Sequence, residues 1–265
     1  MPEFVVRTLL HSPIVTIKDT ECRGSHRHPS AEECTKTTQL IFPYRGAYVR
    51  HVGKDETVAD ANRVLFFNAG EGYRVSHPIA GGDGSLTVIL DEERLRELAP
   101  AFRRQNLRID ARTQALVAML RHRLRANAAQ PLEAETLALT LVRRALGART
   151  SRAMNGSAGR QKLVDRAKLV LASDPTRRWA LAEVAAEVNA SPVYLTQLFQ
   201  QVEGMPLHRY QLRLRLARAL DLLPQCDDLT ELGLDLDFSS HSHFSAAFRQ
   251  VYGRSPSELR RSLRR

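Results

Sequence analysis

No run of about 18 apolar residues occurs in this 265-residue chain, so a transmembrane helix of ordinary length is excluded. Arg7 and His11 interrupt the short apolar stretch at the N-terminus, so no secretory signal is expected there. The expectation is a soluble, cytoplasmic protein with no membrane partner. Cysteine is scarce as well: three residues, an odd number at this length, do not describe a disulfide framework. Negative charge is the remaining shortage, with 29 Asp and Glu against 39 Lys and Arg and a formal net charge of +10, which suits an anionic partner. Basic and acidic residues number 10 and 13 in residues 1–93, 13 and 4 in 94–152, and 16 and 12 in 153–265. Charge alone therefore singles out the middle stretch, and the part that meets an anion has to be found by pattern.

What the chain does contain is a helical unit written twice. Leu181, Val184, Ala185 and Val188 recur about 48 residues later as Leu229, Leu232, Gly233 and Leu236. Leu195, Phe199, Val202 and Gly204 recur one residue further out as Phe244, Phe248, Val251 and Gly253. The first four positions of each copy follow i, i+3, i+4, i+7, one face of a short amphipathic helix. Two copies are too few for a stacked solenoid, so each reads as two short helices around a tight turn, a helix-turn-helix unit. Asn189 tolerates the left-handed backbone that ends a helix, Ser191 is a good N-cap and Pro192 suits the first helical position. In the second copy Asp228 and Glu231 have the spacing of a capping box, and Ser239 and Ser240 are cap candidates beside Asp237. Gly204 and Gly253, followed by Pro206 and Pro256, close both second helices.

With the apolar positions turned inward, the second helix of the first unit presents Val193, Thr196, Gln197 and Gln200, beginning at Ser191. Its counterpart presents Ser242, Ser245, Ala246 and Arg249 with His241 beside them. Amide, hydroxyl and small side chains suit base edges in a DNA major groove: Gln pairs with adenine, Arg with guanine, and Thr or Ala meets the thymine methyl. The first unit, with two amides, is expected to carry more base specificity, and the second to act more through phosphates. A longer helix over about 206–223 joins the units at roughly 1.5 Å per residue, and its arginines, Arg213 among them, are candidate phosphate contacts.

These segments, LAEVAAEVNASPVYLTQLFQQVEGMPLHRYQLRLRLARAL and LTELGLDLDFSSHSHFSAAFRQVYGRSPSELR, resemble the DNA-binding domain of the AraC/XylS family of bacterial transcription regulators over residues 160–265. Gly233 stands where that family usually has Ala, and Asp237 where it usually has Gly, departures expected to loosen the second unit. The resemblance implies a sequence-specific regulator, more commonly an activator, that binds promoter DNA as a homodimer, works with RNA polymerase and answers a small-molecule effector.

Residues 1–93 read differently. Short apolar or alternating runs at 4–10, 14–17, 38–42, 47–52, 63–67 and 85–90 are separated by turn segments such as PYRG and GGDG, the pattern of a small antiparallel β-sandwich or barrel. The resemblance makes it a cupin-like sensor barrel, with FFNAGEGYRVSHP at 66–78 as strand, turn and strand, and Tyr48, Phe67, Tyr73 and His77 as candidate effector-binding residues. Cys22, His26, His28 and Cys34, with Glu32 nearby, offer thiolate and imidazole donors for zinc or another transition metal. His26-x-His28 is similar to the first half of the cupin metal motif and His77 to part of the second. The same residues also fit a polar loop with ordinary thiols. A metal- or thiol-sensing regulator and, more remotely, a cupin metalloenzyme fused to a DNA-binding module are the alternative readings. Over 94–147 helical periodicity returns, with stripes Leu116, Met119, Leu120, Leu124 and Leu137, Leu141, Val142, Ala145. The stripes give a segment expected to cover the sheet, and the family implies that it dimerises. Residues 148–159 lack periodicity and read as a flexible linker. The expected architecture is α+β: an antiparallel cupin-like barrel with trailing helices, then an all-α domain with two helix-turn-helix units on a long helix.

Overall fold

The computed structural model describes residues 4–24, 26–98, 106–147 and 158–264. Ten strands and ten helices run through them: β1 (Phe4–His11), β2 (Val15–Cys22), β3 (Glu33–Cys34), β4 (Gln39–Arg45), β5 (Tyr48–Val52), β6 (Asp55–Ala59), β7 (Arg63–Phe67), β8 (Gly72–Ser76), β9 (Asp83–Leu90), α1 (Glu92–Leu98), β10 (Asn106–Arg108), α2 (Ala111–Arg125), α3 (Pro131–Gly147), α4 (Ala158–Ser173), α5 (Leu181–Glu187), α6 (Pro192–Glu203), α7 (Leu207–Leu222), α8 (Leu229–Asp235), α9 (His241–Tyr252) and α10 (Pro256–Arg264). The expected linker falls mostly outside the described residues, and its last two, Ala158 and Gly159, already belong to α4.

The strands form two antiparallel sheets, ordered β1-β2-β9-β4-β7-β10 and β3-β8-β5-β6. The first sheet has its apolar side facing away from the partner sheet. Val15, Ile17, Leu40, Phe42, Leu86 and Val88 pack against Val117, Leu120 and Leu124 of α2 and Leu141 and Val142 of α3. Their alternate neighbours Lys18, Thr20, Gln39, Ser85 and Thr87 line a cavity between the sheets. Period-two alternation thus fixes an apolar face that demands a helical cover and leaves an inner wall of mixed character, where these polar side chains stand beside Phe4, Val6, Ile41, Phe67 and Val75. The expectation of helices that cover the sheet is met, with one addition: β10 returns within 94–147 to pair with β7 through Asn106↔Leu65, Leu107↔Val64 and Arg108↔Arg63.

The helical domain packs against this barrel. Ala47, Val49, Val58 and Ile79 share one core with Val164, Leu171, Leu195 and Phe199 of α4 and α6. The other face of α2, Ala111, Ala115, Ala118 and Met119, packs on the core of the second unit, which holds Phe244 and Phe248. One helix therefore serves two cores.

Candidate nucleic-acid interface

Caps position both reading helices. Ser191 accepts the Tyr194 N–H at the start of α6, with Pro192 in the first turn, and Gly204 ends the helix in the left-handed region at φ 62°. Ser240 accepts the His243 N–H at the start of α9, and Gly253 ends it at φ 75°. The turns before them use Asn189 at φ 54° and Asp237 at φ 56°, both side chains that tolerate this region. Asp228 caps α8 by accepting the Thr230 N–H. Half of a capping box appears in the first unit, where the Ala180 N–H donates to Glu183 at 2.7 Å but alanine has no side-chain acceptor to complete it. That hydrogen bond, with Arg177 nearby, holds the Glu183 carboxyl below its ordinary range.

The two departures in the second unit have local reasons. A Cβ on residue 233 would stand 3.1 Å from the Phe244 Cβ, so Gly233 admits α9 closely and tightens the packing instead of loosening it. Asp237 bears the strain of a positive φ, and its carboxylate accepts the Arg178 N–H at 3.1 Å. Replacing Asp237 by Ala keeps the strain and removes the bond, an expected loss of about 1–2 kcal/mol. Asp237→Gly removes both, so its expected change is within about 0.5 kcal/mol. Denaturant unfolding of the two variants checks the difference.

Leu195, Leu198, Phe199 and Val202 are buried, while Ser191, Val193, Thr196, Gln197 and Gln200 are exposed along one face of α6. On α9, Phe244, Ala247 and Phe248 are buried, His241, Ser242, Ala246 and Arg249 are exposed, and Ser245 is half-buried. Several hydroxyls are already engaged. Ser191 is the cap, Thr196 donates to the Pro192 carbonyl at 2.8 Å and so presents its methyl, and Ser245 is bonded to His241 at 3.2 Å. No hydrogen bond among the described residues engages the side chains of Gln197 and Gln200.

Arg213 is placed otherwise than expected. Its guanidinium donates to the Ile109 carbonyl at 2.6 Å, inside the contact between the barrel's helices and α7. Burial draws its pKa below the ordinary value, as it does for Arg215, whose guanidinium lies 5.5 Å from the centre of the Phe238 ring. The α7 arginines are thus engaged by different partners: Arg213 by the Ile109 carbonyl, Arg215 by Phe238 of the second unit, and Arg218 by Asp221 of its own helix at 2.5 Å. Arg209, which is exposed, remains available.

The same contact holds a set of buried charges that sequence reasoning did not find. Glu203, at the end of α6, pairs with Arg63 of β7 at 2.6 Å and with Lys168 of α4, which also reaches Asp165 at 2.8 Å. Tyr210 of α7 donates to Asp60, buried at the β6–β7 turn. Burial alone would raise the Glu203 carboxyl, but Arg63 and Lys168 outweigh it and hold it at about 2. The available signal was a lysine, Lys168, on the same helix face as the apolar Val164 and Leu171.

In the barrel, Tyr48, Phe67, Tyr73 and His77 all line the cavity between the sheets, about 350 Å³ in volume, together with the polar residues of β2, β4 and β9. Burial, together with Asp83 nearby, keeps the Tyr48 phenol protonated, and burial beside Glu33 pushes the Tyr73 phenol up to about 12. The proposed metal residues do not converge. Cys34 and His28 are exposed, the Cys34 thiol contacts its own neighbour's carbonyl, and the His26 ring bonds the His28 carbonyl at 3.2 Å. The loop that holds them is local in sequence, but its side chains point apart. None of the three cysteines forms a disulfide, and no helix among the described residues is long and apolar enough to cross a membrane.

Comparison with known proteins agrees with this geometry. Residues 184–262 match a family described as a helix-turn-helix domain. The probable transcriptional regulator LumQ of Photobacterium leiognathi is 26% identical over 225 residues, covering 80% of this chain and 88% of that protein. The uncharacterized HTH-type transcriptional regulator YidL of Escherichia coli is 36% identical over 84 residues, 31% of this chain and only 28% of its own length. A solved transcriptional regulator from Chromobacterium violaceum, described as containing an AraC-type DNA-binding domain, is 31% identical over 40% of this chain and 96% of its own, with a TM-score of 0.38. The family match takes in both reading helices and the scaffold between them, and the likeness to one regulator runs along four-fifths of the sequence: the chain carries an AraC-type helix-turn-helix domain and is a DNA-binding transcriptional regulator.

Proposed function

We propose that the protein is a sequence-specific regulator, an activator at its promoters, in which α6 and α9 enter successive major-groove segments and the barrel cavity takes a small-molecule effector. The observation that carries the reading is the pair of exposed stripes on two identically capped helices. At about 1.5 Å per residue α7 is roughly 24 Å long, which suits the spacing of about 34 Å between successive groove faces once the helices' own width is added. The cavity's wall, in which Lys18, Thr20, Gln39, Ser85 and Thr87 stand beside Phe4, Val6, Ile41, Phe67 and Val75, supports a ligand with an apolar body and a few hydrogen-bonding groups. A homodimer and a contact with RNA polymerase complete the proposal by analogy with the family. The exposed Leu132 on α3 supports an interface there, since the two faces of α2 are already occupied.

β7 supports a route from cavity to DNA. Phe67 at one end lines the cavity and Arg63 at the other grips Glu203 of α6. An effector shifts the balance of domain arrangements by no more than its difference in affinity for them.

The test is binding of the full chain to a selected site and to variants of that site. Gln197→Ala changes base preference at one position by about 1–3 kcal/mol, whereas Arg249→Ala weakens binding to every sequence and lowers the salt slope by about one. Equal, sequence-blind losses from both would refute the assigned roles.

A further inference from the structure

β2 ends where β9 begins, and their register sets Cys22 opposite Asp83. His77 arrives from the end of β8, its N–H donating to the His26 carbonyl at 2.8 Å. The potential ligand atoms of Cys22, His77 and Asp83 all lie within 4.8 Å of one another, and the three residues are 1%, 3% and 5% exposed. His77 and Asp83 also line the barrel cavity.

Two observations mark this cluster as a place for a ligand. The His77 Nδ1 lies 2.5 Å from an Asp83 oxygen, while Nε2 of the same ring is buried with no hydrogen-bond partner. Among the described residues the Asp83 carboxylate has no ion-pair partner except that histidine. A buried carboxylate is costly unless it is paired with a cation or coordinates a metal. A thiolate, a carboxylate and a neutral imidazole carry two negative charges, which one divalent ion balances.

We propose that Cys22, His77 and Asp83 bind a divalent transition-metal ion of the zinc class in the wall of the barrel cavity. The donor set of sulfur, nitrogen and oxygen suits such an ion at about 2.0–2.3 Å, which places ligand atoms roughly 3.3–3.8 Å apart in a tetrahedron. The 2.5 Å pair then opens by under about 1 Å as the ion takes the place of the proton between Nδ1 and the carboxylate. That proton passes to Nε2 as the ring changes tautomer, and the thiol proton leaves to solvent, so a single proton is released per ion. Nε2 changes from acceptor to donor, so the metal sets which hydrogen-bonding partner the cavity offers a fourth ligand. Cys34 and His28 take no part. The ligand set stands whether or not the proposal for DNA reading holds, because binding is measured without DNA.

The experiment titrates the chelator-treated full chain with Co²⁺ and then Zn²⁺. One equivalent of Co²⁺ gives a thiolate-to-cobalt charge-transfer band in the near ultraviolet, Zn²⁺ displaces it, and one proton is released. Cys22→Ser removes the band and weakens Zn²⁺ binding by about 100-fold or more, and Asp83→Asn, checked for folding by circular dichroism, weakens it by about tenfold or more. Cys34→Ser and His28→Ala leave both unchanged. Absence of the band in the folded wild-type chain, its survival in Cys22→Ser, or its loss in Cys34→Ser overturns the assignment.

Discussion

Glu203→Gln lowers the stability of the full chain by about 3–5 kcal/mol at neutral pH, among the largest single-residue effects expected here. The carboxylate is fully buried and serves two cations, Arg63 from the barrel and Lys168 from α4. Glutamine keeps the volume and loses the charge, so two buried cations face a neutral amide. Asp165 still holds Lys168, but Arg63 keeps only the Asn106 side chain besides. The pH dependence follows from the carboxyl held at about 2 in the folded chain against an ordinary value of 4.5. A depressed carboxyl contributes stability that is fully present above about pH 4.5 and is lost as the pH falls towards 2. The gap between wild type and Glu203→Gln in urea unfolding therefore narrows through that window and stays constant from pH 5 to 7. A constant gap down to pH 2.5 would show that the charge is not what holds the two domains. Glu203 joins the end of α6 to a strand of the barrel, so the same variant also reports on coupling. If Arg63 transmits the effector signal, DNA affinity in Glu203→Gln becomes less sensitive to the cavity's occupant.

Local patterns were legible from the sequence and long-range ones were not. The start of α6 is legible to the residue and that of α9 to within one, because an i, i+3, i+4, i+7 stripe and its caps lie within a dozen residues. Gln197, Gln200 and Arg249 stand exposed, as one helix face predicts. Arg213 lay on a face read by the same logic, but what covers that face, the Ile109 carbonyl, is about a hundred residues away in sequence. The barrel shows the same limit. Alternation revealed a half-polar sheet but not that its polar side faces the cavity, a choice made by α2 and α3. Three-residue β10 is too short to show any period. Cys22 is a candidate donor in the sequence, where the donors nearest to it are those of the loop that follows. The register of β2 on β9 brings Asp83 from about sixty residues away.

That register depends on one glycine. Gly81 and Gly82 lead into β9, both in the left-handed region, at φ 92° and φ 73°. Open space surrounds the position a Cβ would take on Gly81, whereas on Gly82 it would stand 2.1 Å from the Cys22 carbonyl oxygen and 3.1 Å from the Arg23 Cα. Both contacts are backbone, so no side chain can swing aside. Gly81→Ala carries only the cost of the left-handed conformation, about 1–2 kcal/mol. Gly82→Ala carries that cost and a clash that separates the ends of β2 and β9, for an expected loss above about 4 kcal/mol. Thermal unfolding of the pair isolates the clash from the strain, since the two positions share a turn. The functional consequence differs too. A chain carrying Gly82→Ala that still folds can do so only by moving Cys22 away from Asp83, so its Co²⁺ band disappears while that of Gly81→Ala persists. Equal losses of stability and an intact band in both would mean that the close approach of these strands does not hold the metal ligands together.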